Sequence, residues 1–342
     1  MRTVDAPTTD AITIPERMRA VVQDRYGTAE VLRHGELPVP SPRPRQVLVE
    51  VIASGVDRGT VHQVTGLPHL VRLAGYGVRR PGRPTPGLDG AGRVVAVGTE
   101  VTRFDVGDRV FGFFDGSLAR YAVADESRLA RTPELVIDEH AAVAAVSGIT
   151  ALQALTSVGG LEADERVLVI GASGAVGSFA TQIAVALGGR VTGVAGTANL
   201  DLVRALGAEA VVDHTTTDVT ASPGSFDLIV DTGGRTPVRR LRRILGPTGR
   251  LVLVGGEGGN RITGGIGRQL RAMVLSRLVT QTLTTFVSEE HHRHLDRLAA
   301  LMSSGEVTPV IGQRYPFDHA IAAIEDVAAG RAHGKTLITV ST

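Results

Sequence analysis

The segment 166–177 joins an unbroken apolar run to three closely spaced glycines. The apolar residues Val167 to Ile170 are typical of a strand that is buried on both faces, because a half-exposed strand would alternate. Gly171, Gly174 and Gly177 follow in a GxxGxxG spacing. Glycine at these positions permits a sharp turn, a close approach of the backbone to a pyrophosphate, and tight packing of the next helix. The alternative is a strand-to-helix turn without a ligand.

The context of these glycines favours a dinucleotide site. An apolar helix is predicted over 175–187, and a second strand over 190–195 completes a βαβ unit. The free amides and the positive dipole end of that helix would face the phosphates. The residues predicted to contact the cofactor here are Gly171, Ser173, Gly174, Ala175, Val176 and Gly177.

The rest of the chain divides into two patterns. Short strands separated by Gly and Asp turns predict a β-rich, barrel-like domain before the glycine segment. After a predicted helix over 141–156, strands and helices alternate, which indicates a doubly wound parallel sheet. The segment 264–287 is predicted to be mostly helical. The predicted organisation is a flexible tail (1–17), a β-rich domain (18–140 and 310–342) and a nucleotide-binding domain (141–309) inserted into it.

Composition excludes several classes of function. The net charge of +1 gives no argument for a nucleic-acid or membrane partner. The chain has no cysteine, which excludes disulfides, thiolate nucleophiles and Cys-ligated zinc. Lys335 is the only lysine among 36 lysines and arginines. The first 17 residues lack an apolar core and resemble neither a signal peptide nor an anchor, so a cytoplasmic location is expected.

Six short motifs occur in a characteristic order along the chain. Together they resemble the medium-chain dehydrogenase/reductase superfamily, and within it the zinc-free quinone oxidoreductase-like branch. The resemblance runs from Met18 to the C-terminus and implies an α/β fold with a GroES-like catalytic domain and a Rossmann domain inserted into it. The motifs are Gln23 to Gly27, Gly87 to Gly92, Val106 to Val110, Gly171 to Gly177, Asp231 to Gly234 and Leu253 to Gly256.

The resemblance also implies a site without a metal. Zinc-dependent members hold the ion with Cys, His and Cys, and a Glu lies close by. Asp57, Leu88 and the neighbourhood of Ser147 correspond to the three ligands, and Asp89 corresponds to the Glu. Leu88 cannot ligate a metal. Without a Lewis acid, an enone or quinone accepts hydride more readily than a simple alcohol loses it, so reduction of a conjugated carbonyl is expected.

Asp57 departs from the family pattern, because zinc-free relatives commonly have Asn at this position. A carboxylate donates only when it is protonated, and burial beside the nicotinamide could raise its pKa and make it a proton donor. A solvent-facing Asp that caps the loop is the alternative. Thr60 and His62, on the same segment, are lesser candidates for catalysis.

The end of the second strand of the βαβ unit lacks the acidic residue that binds the ribose hydroxyls of NAD in NAD-dependent enzymes. NADPH is therefore expected over NADH, with contacts from Gly196, Thr197, Asn199 or a distant Arg. His214 stands where relatives often place a Tyr against the adenine; a surface histidine is the alternative. The resemblance implies further cofactor contacts at Ser147, Thr150, Thr232, Gly233, Val254, Gly255, Gly256 and Lys335. The hydroxyls of Ser147 and Thr150 could instead bond within their own helix.

Two clusters invite a functional interpretation and have a structural alternative. Four arginines in 72–83 could recognise an acidic substrate, although a solvated basic loop is favoured. Three histidines in 291–294 suggest a metal, although a helix surface is favoured.

The first hypothesis for function is an NADPH-dependent reductase of an α,β-unsaturated ketone or quinone, expected as a homodimer. A reductive cyclase that uses the same hydride addition, and a nucleotide-binding sensor without catalysis, are the alternatives.

Overall fold

The computed structural model describes residues 13–221, 226–255, 264–331 and 334–341. Within those ranges, no helix combines the length and the apolar character needed to cross a bilayer. The predicted tail lies mostly outside the described residues, and so does Gly256.

The first part of the chain is rich in strands. A two-stranded antiparallel ribbon (β1, β2) precedes a larger sheet, and one short helix, α1, follows its longest strand. These elements are β1 (Arg17–Val22), β2 (Arg33–Pro38), β3 (Gln46–Val56), α1 (Arg58–Thr65), β4 (Asp89–Val97), β5 (Arg109–Phe113), β6 (Tyr121–Asp125) and β7 (Leu129–Arg131). Valines at alternate positions of β3 are fully buried, so one face of this sheet encloses a core.

The middle of the chain alternates strands with helices. Its elements are α2 (Asp138–Ala142), α3 (Ala145–Leu155), β8 (Arg166–Ile170), α4 (Ala175–Ala186), β9 (Arg190–Ala195), α5 (Leu200–Ala205), β10 (Ala210–Asp213), β11 (Phe226–Asp231), α6 (Val238–Ile244), β12 (Leu245–Leu253), α7 (Ile266–Ser276), β13 (Thr282–Thr285) and α8 (His292–Ser303). The six strands form a parallel sheet in the order β10-β9-β8-β11-β12-β13. This order reverses direction between β8 and β11, which is the crevice where doubly wound sheets bind ligands.

The chain then returns to the first sheet. Its last elements are β14 (Ile311–Pro316), α9 (Ala320–Ala328) and β15 (Lys335–Thr339). The seven-stranded sheet has the order β14-β15-β3-β4-β5-β7, and β6 pairs with β3. The mixed α/β fold, with a Rossmann unit between two parts of a β-rich unit, is therefore confirmed.

The apolar run in β8 is buried on both faces, as the sequence predicted. Val167 and Val169 belong to the cluster that contains Phe179 and Ile183 of α4. The two alternate residues, Leu168 and Ile170, join the cluster on the opposite face of the sheet. Helices therefore cover both faces, which explains why this strand shows no alternation of polar residues.

Three predictions about elements were wrong or incomplete. The helix predicted over 141–156 is two helices, α2 and α3, because the carboxylate of Asp89 accepts the Val146 amide at 2.7 Å and caps α3 from another strand. The segment 264–287 is not mostly helical, since its threonine-rich end forms β13 and extends the parallel sheet. Strands β2, β7 and β14 were not predicted.

Candidate active site

The three glycines after β8 have three different environments. Gly171 has a φ of +79°, and a Cβ on it would lie 2.7 Å from the Thr232 hydroxyl. A Cβ on Gly177 would lie 2.0 Å from the Gly171 carbonyl oxygen, so Gly177 permits the close packing of α4 against the turn. Gly174 precedes α4, and among the atoms of the described residues a Cβ there would meet only the Gly171 carbonyl oxygen, at 3.2 Å. The space in front of Gly174 is therefore open to a ligand.

A cavity of about 850 Å³ lies in front of this turn, at the carboxyl ends of β8 and β11. It is large enough for a dinucleotide-sized ligand to be substantially enclosed. Six of the predicted cofactor residues line it: Gly171, Gly174, Ala175, His214, Thr232 and Gly233.

Besides the glycine turn, the cavity is lined by two groups of residues, and we call the part that each group lines an arm. One arm is lined by the segment 214–220, which follows β10, and by Arg235 and Arg240, which follow β11. The guanidinium of Arg240 contacts the carboxylate of Asp218 at 3.3 Å across this arm. The second arm is lined by residues of the β-rich unit, including Asp57 and Gly334. A backbone bridge between Gly174 and Gly334 joins the two units at this point.

The other predicted cofactor residues lie outside the cavity lining in the described part of the chain. Ser147 is buried in α3. The Thr150 hydroxyl donates to the Val146 carbonyl at 2.6 Å, so this side chain bonds within its own helix, which was the alternative to a cofactor contact. The Thr197 hydroxyl donates to Asp213 at 2.6 Å. A Cβ on Gly255 would lie 2.3 Å from the Thr232 carbonyl oxygen, so Gly255 packs against the turn after β11. Also outside the lining are Ser173, Val176, Gly177, Gly196, Asn199, Val254 and Lys335.

The second arm ends at a buried cluster of three charged residues. The ammonium of Lys335 contacts the carboxylate of Asp57 at 3.0 Å and that of Asp89 at 2.5 Å. Lys335 and Asp89 are 0% and 1% exposed, whereas the Asp57 side chain is 12% exposed and lines the cavity. We call these three residues the Lys335 cluster. Each comes from a different strand or strand end of the seven-stranded sheet.

Asp57 also begins helix α1. Its carboxylate accepts the Thr60 amide at 3.2 Å, while the Thr60 hydroxyl lies 3.5 Å from the Asp57 amide, so the pair forms a capping box. The Nδ1 atom of His62 lies 2.5 Å from the Leu67 carbonyl oxygen. Asp57 therefore lines the cavity, whereas Thr60 and His62 are not among the described residues that line it.

The ionisation of the cluster follows from these contacts. Burial would raise the pKa of Asp57, but the Lys335 ammonium and the Thr60 and Gly59 amides outweigh it and hold the pKa below its usual range. The sequence left open whether burial raises the pKa of Asp57 or whether Asp57 is a capping residue; its pKa is lowered, and it caps α1. Burial raises the pKa of Asp89 to about 6 although Lys335 opposes it. The two carboxylates raise the pKa of Lys335 despite its burial.

The two clusters of basic residues have partners within the chain. Arg83 pairs with Asp115 at 2.7 Å, and Arg72 lies 4.4 Å from the centre of the Tyr26 ring. His291 begins α8 by accepting the Arg293 amide at 3.3 Å. Within the ranges that the structure describes, no three His, Asp or Glu side chains converge into a possible metal site.

Sequence reasoning missed several residues beside the cavity. Arg58, Arg235 and Arg240 line it, and cations at this position suit a ligand with phosphates. Arg58 directly follows Asp57 and could have been found by its position, but the others depend on tertiary contacts.

The chain matches two family profiles. The alcohol dehydrogenase GroES-like domain matches residues 43–134, and the zinc-binding dehydrogenase profile matches residues 206–338. Human (Homo sapiens) quinone oxidoreductase is 32% identical over 333 residues, which cover 94% of this chain and 97% of that protein. The 2-methylene-furan-3-one reductase of Solanum lycopersicum is 29% identical, with 97% and 82% covered.

The fold is similar to solved structures of the same kind. The quinone oxidoreductase of Coxiella burnetii superimposes with a TM-score of 0.82 at 24% identity, and the match covers 95% of this chain and 100% of that one. The fold of this chain is therefore a known one.

Proposed function

We propose that this protein reduces conjugated carbonyls without a metal. The premise is its family: the chain belongs to the medium-chain dehydrogenase/reductase superfamily, in the quinone oxidoreductase-like branch, and is an NAD(P)H-dependent oxidoreductase. The hydride would go to the β-carbon of an enone or quinone, and NADPH would supply it. The proposal rests mainly on one observation, that the glycine turn and Asp57 line the same cavity.

The cavity fits a nicotinamide dinucleotide. Gly174 leaves the N-terminus of α4 open, so amides of this helix can bind a pyrophosphate, and the positively charged Arg58 lines the same cavity. The carboxylate of Asp231 holds the turn after β11, because it accepts the amides of Gly233 and Gly234 at 3.2 and 3.0 Å and pairs with Arg268 at 2.5 Å. This turn presents Thr232 and Gly233 to the cavity.

When bound, the cofactor supplies a hydride, and the residues of the chain hold and orient it. The glycine turn fixes the pyrophosphate, which sets the position of the reactive ring. Asp57 does not serve as a proton donor, because Lys335 holds it ionised.

The residues at the positions of the zinc ligands support chemistry without a metal. Leu88 offers no ligand atom, Ser147 is buried, and Asp57 is bound by Lys335. A conjugated carbonyl needs less polarisation than an alcohol, because its negative charge spreads onto oxygen as hydride adds. The two relatives reported above are named for a quinone and for 2-methylene-furan-3-one, and each of these compounds has a carbonyl conjugated with a carbon–carbon double bond.

The test is the oxidation of NADPH and NADH by the purified protein with benzoquinone, cyclohexenone and benzaldehyde, followed by absorbance. We expect turnover of the quinone and the enone, little with the aldehyde, and no loss of rate after treatment with a chelator. Product mass distinguishes simple reduction from cyclisation. Nucleotide binding without turnover of any acceptor would favour a sensor, and activity that zinc restores after chelation would contradict the proposal.

The preference for NADPH rests on the arm that carries Arg235 and Arg240. We expect Arg235→Ala to weaken NADPH binding by about tenfold, the effect of losing one charge-assisted hydrogen bond, and NADH binding by less than about twofold. Calorimetry measures both constants. Arg239→Ala is the matched control, because Arg239 is exposed on the adjacent helix. Equal losses for both nucleotides would place Arg235 at the adenine and not at a 2′-phosphate.

A cytoplasmic homodimer completes the proposal. Strand β13 is the last strand of the six-stranded sheet, and Leu270, Met273 and Val274 of α7 are 56%, 44% and 65% exposed beside it. A sheet edge that no other described strand covers, next to an apolar helix face, suits a second copy of the chain, and the molar mass in solution tests this.

A further inference from the structure

Asp57 is the member of the Lys335 cluster that faces the cavity. Lys335 and Asp89 are buried behind it, at 0% and 1% side-chain exposure, and only Asp57 has a partly exposed carboxylate. Any charge that the cluster presents to a ligand is therefore presented mainly through Asp57.

The charges of the cluster do not cancel. One ammonium stands between two carboxylates, so the cluster carries one negative charge in excess when both acids are ionised. Charges inside a protein are screened far less than charges at its surface. Arg58 lines the same cavity, but its guanidinium donates to the Ala328 carbonyl at 3.2 Å, and its charge would be offset by the pyrophosphate.

The two arms of the cavity take different halves of a dinucleotide. The pyrophosphate belongs at Gly174 of the glycine turn. The adenosine half would lie over β9 and β10, the strands that follow the glycine turn, and the segment of the first arm that begins at His214 follows β10. The nicotinamide half is left with the arm that Asp57 closes.

We propose that Asp57 is the counter-charge of the oxidised nicotinamide ring. This inference rests on the proposed function. In the proposed reduction, the cofactor would supply the electron pair and hydrogen of its nicotinamide C–H bond, which would form a C–H bond at the β-carbon of the conjugated carbonyl. The ring would be left cationic, and the enolate would be neutralised by a proton from solvent. Asp57 stabilises the positive charge that develops on the ring and so favours hydride donation.

This role differs from that of the neutral Asn expected at this position. An Asn side chain can donate to a ligand but carries no charge, so it treats the two oxidation states of the ring nearly alike. A carboxylate attracts the cationic ring more strongly than the neutral one. The proposal therefore predicts a selective effect on one oxidation state, which a helix-capping role alone does not produce.

The experiment compares the dissociation constants of NADP⁺ and NADPH in the wild-type protein and in Asp57→Asn, by calorimetry at neutral pH. Asn is a good N-cap, so α1 is retained, and circular dichroism checks the fold. We expect the constant for NADP⁺ to rise about tenfold more than that for NADPH. A common change in both constants would overturn the proposal, because it would show a positioning role only.

Asp89→Asn is the matched control, since it removes an equal charge from the far side of Lys335. We expect its effect on the ratio of the two constants to be smaller, about threefold or less. An equal shift in both variants would overturn the assignment to Asp57. Failure of the wild-type protein to bind either nucleotide would contradict the proposed function itself, whereas binding of both with an unchanged ratio in Asp57→Asn would contradict only this inference.

Discussion

Replacing Lys335 by Met is expected to lower the free energy of unfolding by about 3–5 kcal/mol at neutral pH. The Met side chain fills a similar volume but leaves the carboxylates of Asp57 and Asp89 without their shared partner in a buried site. An unpaired buried charge is costly, and two like charges that face each other add to that cost. Urea denaturation followed by circular dichroism measures the change.

The pH dependence of this loss has a definite sign. In the variant, burial without the ammonium raises the pKa of both carboxyls above the unfolded value of about 3.9. A carboxyl whose pKa is higher in the folded state than in the unfolded state destabilises the fold when it is ionised. This penalty is full above the folded-state pKa and disappears as the pH falls from the folded-state pKa to the unfolded-state pKa. The deficit should therefore shrink between neutral pH and about pH 5. The wild-type Asp57, with its lowered pKa, does the opposite and loses its stabilising contribution in acid.

A matched control comes from the same sheet. Arg314 on β14 pairs with Glu139 at 3.2 Å, but both side chains are exposed, at 54% and 42%. Arg314→Met should cost no more than about 1 kcal/mol. The double variant Lys335→Met with Asp89→Asn should recover part of the loss, because it removes one of the unpaired charges. If Lys335→Met and Arg314→Met had equal effects, the buried ion pairs described for Lys335 would be wrong.

The choice of lysine at this position has a physical reason. Every other basic side chain, among 36 lysines and arginines, is an arginine. An ammonium is a compact point charge with three donors, whereas a guanidinium is a wide planar fork. The space between two carboxylates at 2.5 and 3.0 Å suits the former. The only lysine of the chain thus stands where an arginine would force the cluster apart.

Local patterns predicted the parts of the fold that depend on neighbouring residues. The strand and the glycines of 167–177 were assigned correctly, because the apolar run and the turn are encoded within a dozen residues. The division between α2 and α3 was missed, because its cause is the Asp89 carboxylate, 57 residues away from the amide it binds. Strand β13 was missed because four residues at the edge of a sheet carry too little pattern.

The same distinction explains which parts of the site were predicted. The glycine turn lies on one segment, and its three glycines have the three environments that the motif implies. The Lys335 cluster joins residues 57, 89 and 335, and no local pattern reports such a contact. Asp57 was identified as unusual, but the direction of its pKa depends on Lys335, 278 residues further along the chain. A pKa that depends on an ion pair between residues far apart in the chain therefore could not be predicted from local sequence patterns.

Gly174→Val is expected to weaken dinucleotide binding by about 100-fold, equivalent to about 2.8 kcal/mol, while leaving the fold nearly unchanged. The backbone at Gly174 has a φ of −77°, which any residue can adopt. Within the described part of the chain, a Cβ there would meet one protein atom, the Gly171 carbonyl oxygen at 3.2 Å. The methyl groups of valine would extend into the cavity, where the backbone must approach the pyrophosphate. Calorimetry with NADPH measures the loss.

Gly177→Ala separates the effect on the ligand from the effect on packing. A single Cβ at this position would lie 2.0 Å from the Gly171 carbonyl oxygen and 2.7 Å from its carbon, so the backbone itself must move. We expect Gly177→Ala to cost roughly 1–3 kcal/mol of stability or more, and Gly174→Val no more than about 1 kcal/mol. Unchanged NADPH affinity in a folded Gly174→Val protein would mean that the dinucleotide does not lie against this turn, and the assignment of both arms of the cavity would fail with it.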